Sequence, residues 1–230
     1  MRLLLFDIDG TLVDTMGAGR AALGTALAEV YGETGPIDSF DFHGKTDPAI
    51  VRGLLSEAGW SDDRIEAGFP AVWASYCSAL ELELSARDGR VRTYPGVDRL
   101  LDRLDGDERF AAGLVTGNLE EGARRKLTAA HLGDRFRFGA FGSDSERRDD
   151  LPPIARERAV AEYRREFDMS EAIVVGDTPD DIQCARANGA RVLAVATGRH
   201  TPSELQRHAP DAVLEDLADT RAVMRMLADE

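Results

Sequence analysis

Residues 1–15 read MRLLLFDIDGTLVDT. Leu3 to Phe6 form an apolar run of strand length, the kind that fills a strand buried on both faces of a parallel sheet. The run predicts a strand over 2–8. Two aspartates, Asp7 and Asp9, close it on either side of Ile8, and Gly10 and Thr11 follow. A carboxylate taken out of water costs several kcal/mol unless something compensates it. Asp-Gly is also a common turn pair, so by themselves these residues read equally as a solvated turn.

Working outward, residues 15–31, 47–59 and 62–84 carry apolar residues at helical spacing. Thr15 is the expected cap of the first helix, Asp47 of the second with Pro48 at its first position, and Gly68-Phe69-Pro70 is a candidate break in the third. No strand is predicted between 14 and 90. From Tyr94 onward strands alternate with helices: strands at 110–116, 138–142, 172–176, 191–196 and 211–214, and helices near 97–104, 120–130, 153–166, 179–188, 202–207 and 217–228. That alternation predicts an α/β fold, a Rossmann-like parallel sheet with helices on both faces in three layers. The expected domains are a core of 1–14 and 92–230 and an inserted α-helical cap of 15–91. An insertion directly after the first strand sits over the carboxyl edge of the sheet, where such folds bind ligands.

Bulk properties narrow the function. The 230 residues are 43% hydrophobic and 30% charged, as in a soluble globular chain. No apolar run approaches the roughly 20 residues of a membrane helix, and Asp7 ends the first run too early for a signal peptide, so a cytoplasmic location is expected. The formal charge of −14 is repelled by a phosphate backbone and argues against nucleic-acid binding. Cys77 and Cys184 lack the spacing of a metal or redox pair and read as reduced structural residues. Only two lysines, Lys45 and Lys126, stand against 26 arginines.

Three predicted strands end in polar clusters: Asp7-Ile8-Asp9-Gly10-Thr11, Thr116-Gly117-Asn118 and Asp177-Thr178-Pro179-Asp180-Asp181. Were these strands neighbours, the clusters would converge. Asp7 and Asp177 can then hold a hard divalent cation through oxygen. The cation offsets their repulsion and lets a carboxylate attack an anionic phosphoryl group. Gly10 lets the backbone turn closely towards phosphate oxygens, Thr116 supplies a hydroxyl, and the backbone of Gly117 and Asn118 supplies N–H groups ahead of a helix. Each cluster has a plainer reading as a helix cap or turn, with Asn118 capping in the second and Thr178 or Asp177 in the third.

DIDGTLVDT, VTGN and GDTPDD, in this order, resemble three motifs of the haloacid dehalogenase-like phosphohydrolase superfamily, and the resemblance spans nearly the whole chain. It implies a Mg²⁺-dependent phosphatase acting on a small phosphorylated metabolite through an aspartyl-phosphate. Asp7 would be the nucleophile, Asp9 the general acid and base, and Thr116 a phosphoryl ligand. Asp7, Asp177 and the Asp9 carbonyl would hold the metal. Asp181 would support the metal's water shell or a cation, with Asp180 beside it as an alternative. A family lysine that steadies nucleophile and phosphate has no counterpart between 127 and 230. Arg148 is the preferred replacement, ahead of Arg147, Arg156 and Arg158, because the family's lysine stands a few residues before a proline that starts the helix, as Arg148 stands before Pro152 and Pro153, and a guanidinium can clamp carboxylate and phosphate together.

HGKTDPAIV at 43–51 resembles cap loops of phosphoglycolate phosphatase-like members, so Lys45 and Thr46 are expected to touch the leaving group, although capping explains Asp47 as well. His43 has a smaller claim to face the site, and Trp60 and Trp73 read as packing residues. Asp9 argues against a dehalogenase, which has no leaving group to protonate. The absence of lysine from 15–31 argues against a Schiff-base phosphonatase. A β-phosphoglucomutase-like enzyme and a non-catalytic protein of the same fold stay open, and a monomer or homodimer is expected.

Overall fold

The computed structural model describes residues 1–228. Its core is a six-stranded parallel sheet: β1 (Arg2–Phe6), β4 (Phe110–Val115), β5 (Gly139–Ala140), β6 (Ile173–Gly176), β7 (Arg191–Val195) and β8 (Ala212–Leu214), in the order β5-β4-β1-β6-β7-β8. Alternation along β1 explains its wholly apolar sequence. Leu4 and Phe6 enter the core on one face with helices α4 (Val97–Leu104), α5 (Glu120–Ala129) and α9 (Thr220–Ala228). Leu3 and Leu5 enter the opposite core with α6 (Leu151–Tyr163), α7 (Pro179–Ala187) and α8 (Pro202–Gln206). Leu3 to Phe6 are at most 1% exposed, and each such side chain contributes about 1.5–3 kcal/mol of burial. Truncating Leu4 or Leu5 to alanine is expected to cost about 2–5 kcal/mol.

The strand ends at Phe6, two residues short of the sequence expectation. The Ile8 carbonyl accepts from the N–H groups of Thr11, Leu12 and Val13, and Gly10 takes φ 84°, so the chain turns instead of continuing. The turn leaves both Asp7 and Asp9 lining one cavity.

A helical block follows β1: α1 (Ala18–Tyr31), α2 (Asp47–Glu57) and α3 (Asp62–Ala86). Its own core includes Leu23, Leu27, Leu54, Ile65, Tyr76 and Leu80, so it forms a helical cap on the sheet domain. Chain entry and exit are clipped by a ribbon absent from the sequence reading, β2 (Val13–Asp14) antiparallel to β3 (Arg92–Thr93). Two-residue strands are too short to show a period.

The cap helices correct three local expectations. Helix α1 starts after Gly17 in the left-handed region, and Thr15 gives its carbonyl, not its side chain, to Ala18. Thr46, not Asp47, caps α2 by accepting from Ala49 N–H. Helix α3 runs unbroken through Pro70, and the Tyr31 hydroxyl donates to the Ile65 carbonyl in the turn that Pro70 weakens. Trp60 meets Tyr31 edge-on and Trp73 stacks on Phe69, both within the cap.

Candidate active site

Strand order decides the site. β1 lies between β4 and β6, so the three polar clusters leave adjacent strands at the carboxyl edge. A cavity of about 460 Å³ opens there beneath the cap, lined by Asp7, Asp9, Thr116, Lys126, Arg148 and Asp177 among others. A cleft of about 650 Å³ around Met1, Phe167 and Met169 contains none of these strand-end residues.

The β6 side of the cavity is buried and crowded with charge. Arg148 Nη2 lies 3.2 Å from Asp7 Oδ1 and also donates to Asp181 Oδ1. Burial pushes the Asp7 carboxyl up to about 6, against the pull of Arg148 and with help from Asp181 and Asp9. Burial also raises Asp177 well above the carboxylate range, reinforced by Asp181 and Asp7. For Arg148 burial acts downward, and the two facing carboxylates overcome it and hold the guanidinium charged. The other arginines of this region lie elsewhere: Arg147 is exposed, Arg156 bonds Phe167 O and Glu166, and Arg158 bonds Gly139 O and Asp144.

Asp7, Asp177 and Asp181 place carboxylate oxygens within 4.8 Å of one another. When ionised, three carboxylates against the Arg148 guanidinium leave a formal charge of −2. Asp177 uses Oδ1 to accept from Thr11 at 3.0 Å, while its Oδ2 is buried without a partner. An all-oxygen set with an excess of two negative charges and an orphaned carboxylate oxygen fits a hard divalent cation. Asp181 fits that set less well, because Arg148 takes one of its oxygens and Thr178 the other, at 2.6 Å through its hydroxyl. The Thr178 backbone N–H also donates to Asp181 Oδ2, at 3.0 Å, which completes the capping box of α7, so Asp181 holds both the Arg148 side chain and the helix start. Asp180 turns outward, its carboxylate 3.8 Å from Lys45 Nζ.

Glycine is required where the backbone closes on Asp177. A Cβ at Gly10 would lie 2.3 Å from Asp177 Oδ2, and one at Gly198 1.9 Å. Gly10 spends its N–H on Val13 O at 3.3 Å. Gly117 permits a second close approach, since a Cβ there would lie 2.1 Å from the Lys45 carbonyl.

The cap side is built differently. Asp9 Oδ2 accepts from Lys126 Nζ at 2.6 Å and from Asn118 Nδ2 at 2.7 Å. Asn118 also donates to Thr116 Oγ1 at 2.8 Å and accepts from Lys126 through Oδ1. The amide orientation is fixed by these partners, since the flip would set its oxygen against a carboxylate. Asn118 spends its backbone N–H weakly on Thr116 Oγ1, at 3.4 Å. It is not the cap of α5. Leu119 holds that position, and its N–H is taken by Asp47 Oδ2 from the cap at 2.8 Å.

Lys45 and His43 line the mouth of the cavity. Thr46 does not. Its hydroxyl is buried, donates to Glu146 O at 2.7 Å and caps α2, which corrects the expectation that it touches the leaving group. Arg52 adds a two-pronged bond to Glu146, at 2.9 and 3.1 Å, fastening the cap to the loop that carries Arg148.

Lys126, Asp47 and Glu146 escaped the sequence reading. For Lys126 a signal existed: Gly122, Ala123, Lys126 and Leu127 form the buried stripe of α5, and a lysine on such a stripe asks for a partner. For Asp47 and Glu146 no local pattern points across the cap boundary.

With this geometry in place, comparison with known proteins identifies the class. Residues 4–195 match the haloacid dehalogenase-like hydrolase family, and the chain belongs to that family. It is 28% identical over 224 residues to a phosphoglycolate phosphatase of Pseudomonas savastanoi pv. phaseolicola, covering 94% of this chain and 77% of the relative. It is 29% identical over 208 residues to the phosphoglycolate phosphatase of Rhodobacter capsulatus, covering 90% of each. A crystal structure of a hydrolase from Pseudomonas syringae shares the fold with a TM-score of 0.75 at 22% identity, covering 99% of both chains. Among the described residues no helix is long and apolar enough to cross a membrane.

Proposed function

We propose that this protein is a Mg²⁺-dependent phosphatase that hydrolyses a small phosphate monoester through an aspartyl-phosphate on Asp7. The observation that carries the reading is the convergence of Asp7, Asp9, Thr116, Arg148 and Asp177 on one cavity at the ends of three adjacent strands. The phosphatase names of the relatives support the same reading, and phosphoglycolate is the first ester to test.

Asp7 and Asp177 would hold Mg²⁺ with the main-chain carbonyl of Asp9, and the ion would supply positive charge and Lewis acidity at the phosphoryl oxygens. Arg148 keeps Asp7 in place through one Nη and leaves Nε, buried and unpartnered, as a further donor towards an anion. The Thr116 hydroxyl faces the same cavity and binds a phosphoryl oxygen. The Asp7 carboxylate attacks phosphorus, the bond to the ester oxygen breaks, and that oxygen takes the proton of Asp9. Asp9, now a carboxylate, takes a proton from water, whose oxygen attacks phosphorus. Phosphate leaves and Asp7 is regenerated. Lys45 at the cavity mouth contacts the remainder of the substrate.

The test is release of phosphate from phosphoglycolate and from an aryl phosphate, with Mg²⁺ and with EDTA. Asp7→Asn is expected to lower turnover by at least about 10⁴-fold while the fold persists. Turnover that survives both this substitution and EDTA would sink the mechanism.

A further inference from the structure

A buried lysine is expensive. Lys126 is 5% exposed on the apolar stripe of α5, where methionine or leucine would pack without removing a charge from water. Its Nζ lies at the seam of cap and core. Gly19 of α1 has no side chain there, and a Cβ would lie 3.2 Å from Nζ. Two bonds use the lysine, one to Asp9 Oδ2 and one to Asn118 Oδ1, and Asn118 in turn donates to the same Asp9 oxygen. Both protein bonds to the Asp9 carboxylate therefore converge on Oδ2. Among the described residues no protein group donates to Oδ1, and the side chain is 42% exposed in the cavity.

We propose that Lys126 is a positioning residue: with Asn118 it clamps one oxygen of Asp9 and so assigns the other, Oδ1, to proton exchange with the ester oxygen. The inference rests on the phosphatase reading and adds a residue to it. In the first step the P–O bond breaks, its electron pair stays on the ester oxygen, and the proton on Asp9 Oδ1 moves to that oxygen. A half-exposed carboxylate without the clamp would rotate towards water, and misplacement of a reacting group by about 1 Å costs on the order of 10²-fold in rate.

Protonation matters in proportion to how poor the leaving group is, which separates this role from a structural one. The experiment compares kcat/KM for phenyl phosphate and for dinitrophenyl phosphate, whose phenolate departs without a proton, in wild type and Lys126→Met. The ratio kcat/KM covers steps only through ester cleavage, so the later use of Asp9 as a base does not enter. Phenyl phosphate is expected to lose roughly 10- to 100-fold and dinitrophenyl phosphate less than about threefold. Lys126→Gln, which keeps a donor without the charge, replaces the methionine variant if the latter fails to fold by circular dichroism, and the same divergence is expected. Equal losses on both esters, or no loss, overturn the role of Lys126 while leaving the phosphatase reading intact. Wild-type protein that hydrolyses neither ester overturns both.

Discussion

Asp7 and Asp9 are separated by one residue, yet the protein surrounds them with opposite kinds of environment. The Asp7 side chain is 7% exposed, faces Arg148, and shares its surroundings with Asp177 and Asp181. The Asp9 side chain is 42% exposed, faces Lys126, and sits at the seam between core and cap. The difference originates in the chain turn after Phe6, which leaves Asp7 beside β6 and swings Asp9 towards α5. A nucleophile benefits from a fixed position in a dry site, whereas an acid–base group must exchange protons with substrate and water. One cation from each flank serves each carboxylate, and the two cations come from different elements.

Removing each cation is the strongest way to break this comparison. Arg148→Met leaves Asp7 and Asp181 buried without a counter-charge and is expected to cost about 3–5 kcal/mol, read as a lower denaturation midpoint at unchanged m. Lys126→Met is expected to cost less, because Asp9 can turn to water. Equal losses at the two sites would erase the contrast between the dry and the wet carboxylate.

Asp47 sharpens the comparison at the seam. Burial raises its carboxyl to about 6, against the pull of Lys126 and of the Leu119 N–H. A carboxyl raised on folding contributes stability that is complete below its ordinary 3.8 and is lost as pH climbs through about 6. Asp47→Asn still accepts from Leu119 and does not titrate. Chemical denaturation is expected to show no change near about pH 4 and a gain of roughly 1–2 kcal/mol near about pH 8.

The smallest effect is expected at the clasp between cap and core. Arg52 and Glu146 are partly exposed, so a double-mutant cycle with Arg52→Ala and Glu146→Ala should return a coupling of about 0.5–1 kcal/mol. A value near zero would mean that the clasp is geometric and the cap is held by Thr46 and Asp47.

The sheet was legible because its strands are buried on both faces and read as unbroken apolar runs: Leu3–Phe6, Phe110–Val115 and Ile173–Gly176 need no knowledge of their neighbours. The three polar clusters were legible for the same reason, since each directly follows such a run. Arg148 could be singled out by its place before Pro152 and Pro153, even with arginine in the position of a lysine. What escaped lies between elements. Asp47 accepts from the N–H of Leu119, 72 residues later, and Thr46 turns away from the cavity to bind Glu146. The period of a helix says which side is apolar, but not which distant backbone N–H lacks a partner. Lys126 is intermediate: its place on a buried stripe was visible, and its partner Asp9, 117 positions away, was not.

The Asp47 carboxylate has a consequence for modularity. Helix α5 of the core has no side-chain cap of its own, and the acceptor for the N–H of its N-cap residue, Leu119, arrives from the cap. Exchanging the helical block for that of a relative would therefore strip a foundation from the sheet domain as well as replace a substrate lid. Amide exchange at Leu119 to Ala123 should quicken in any chimera whose donor block lacks an acid at the start of its second helix, and slow again when aspartate is restored there.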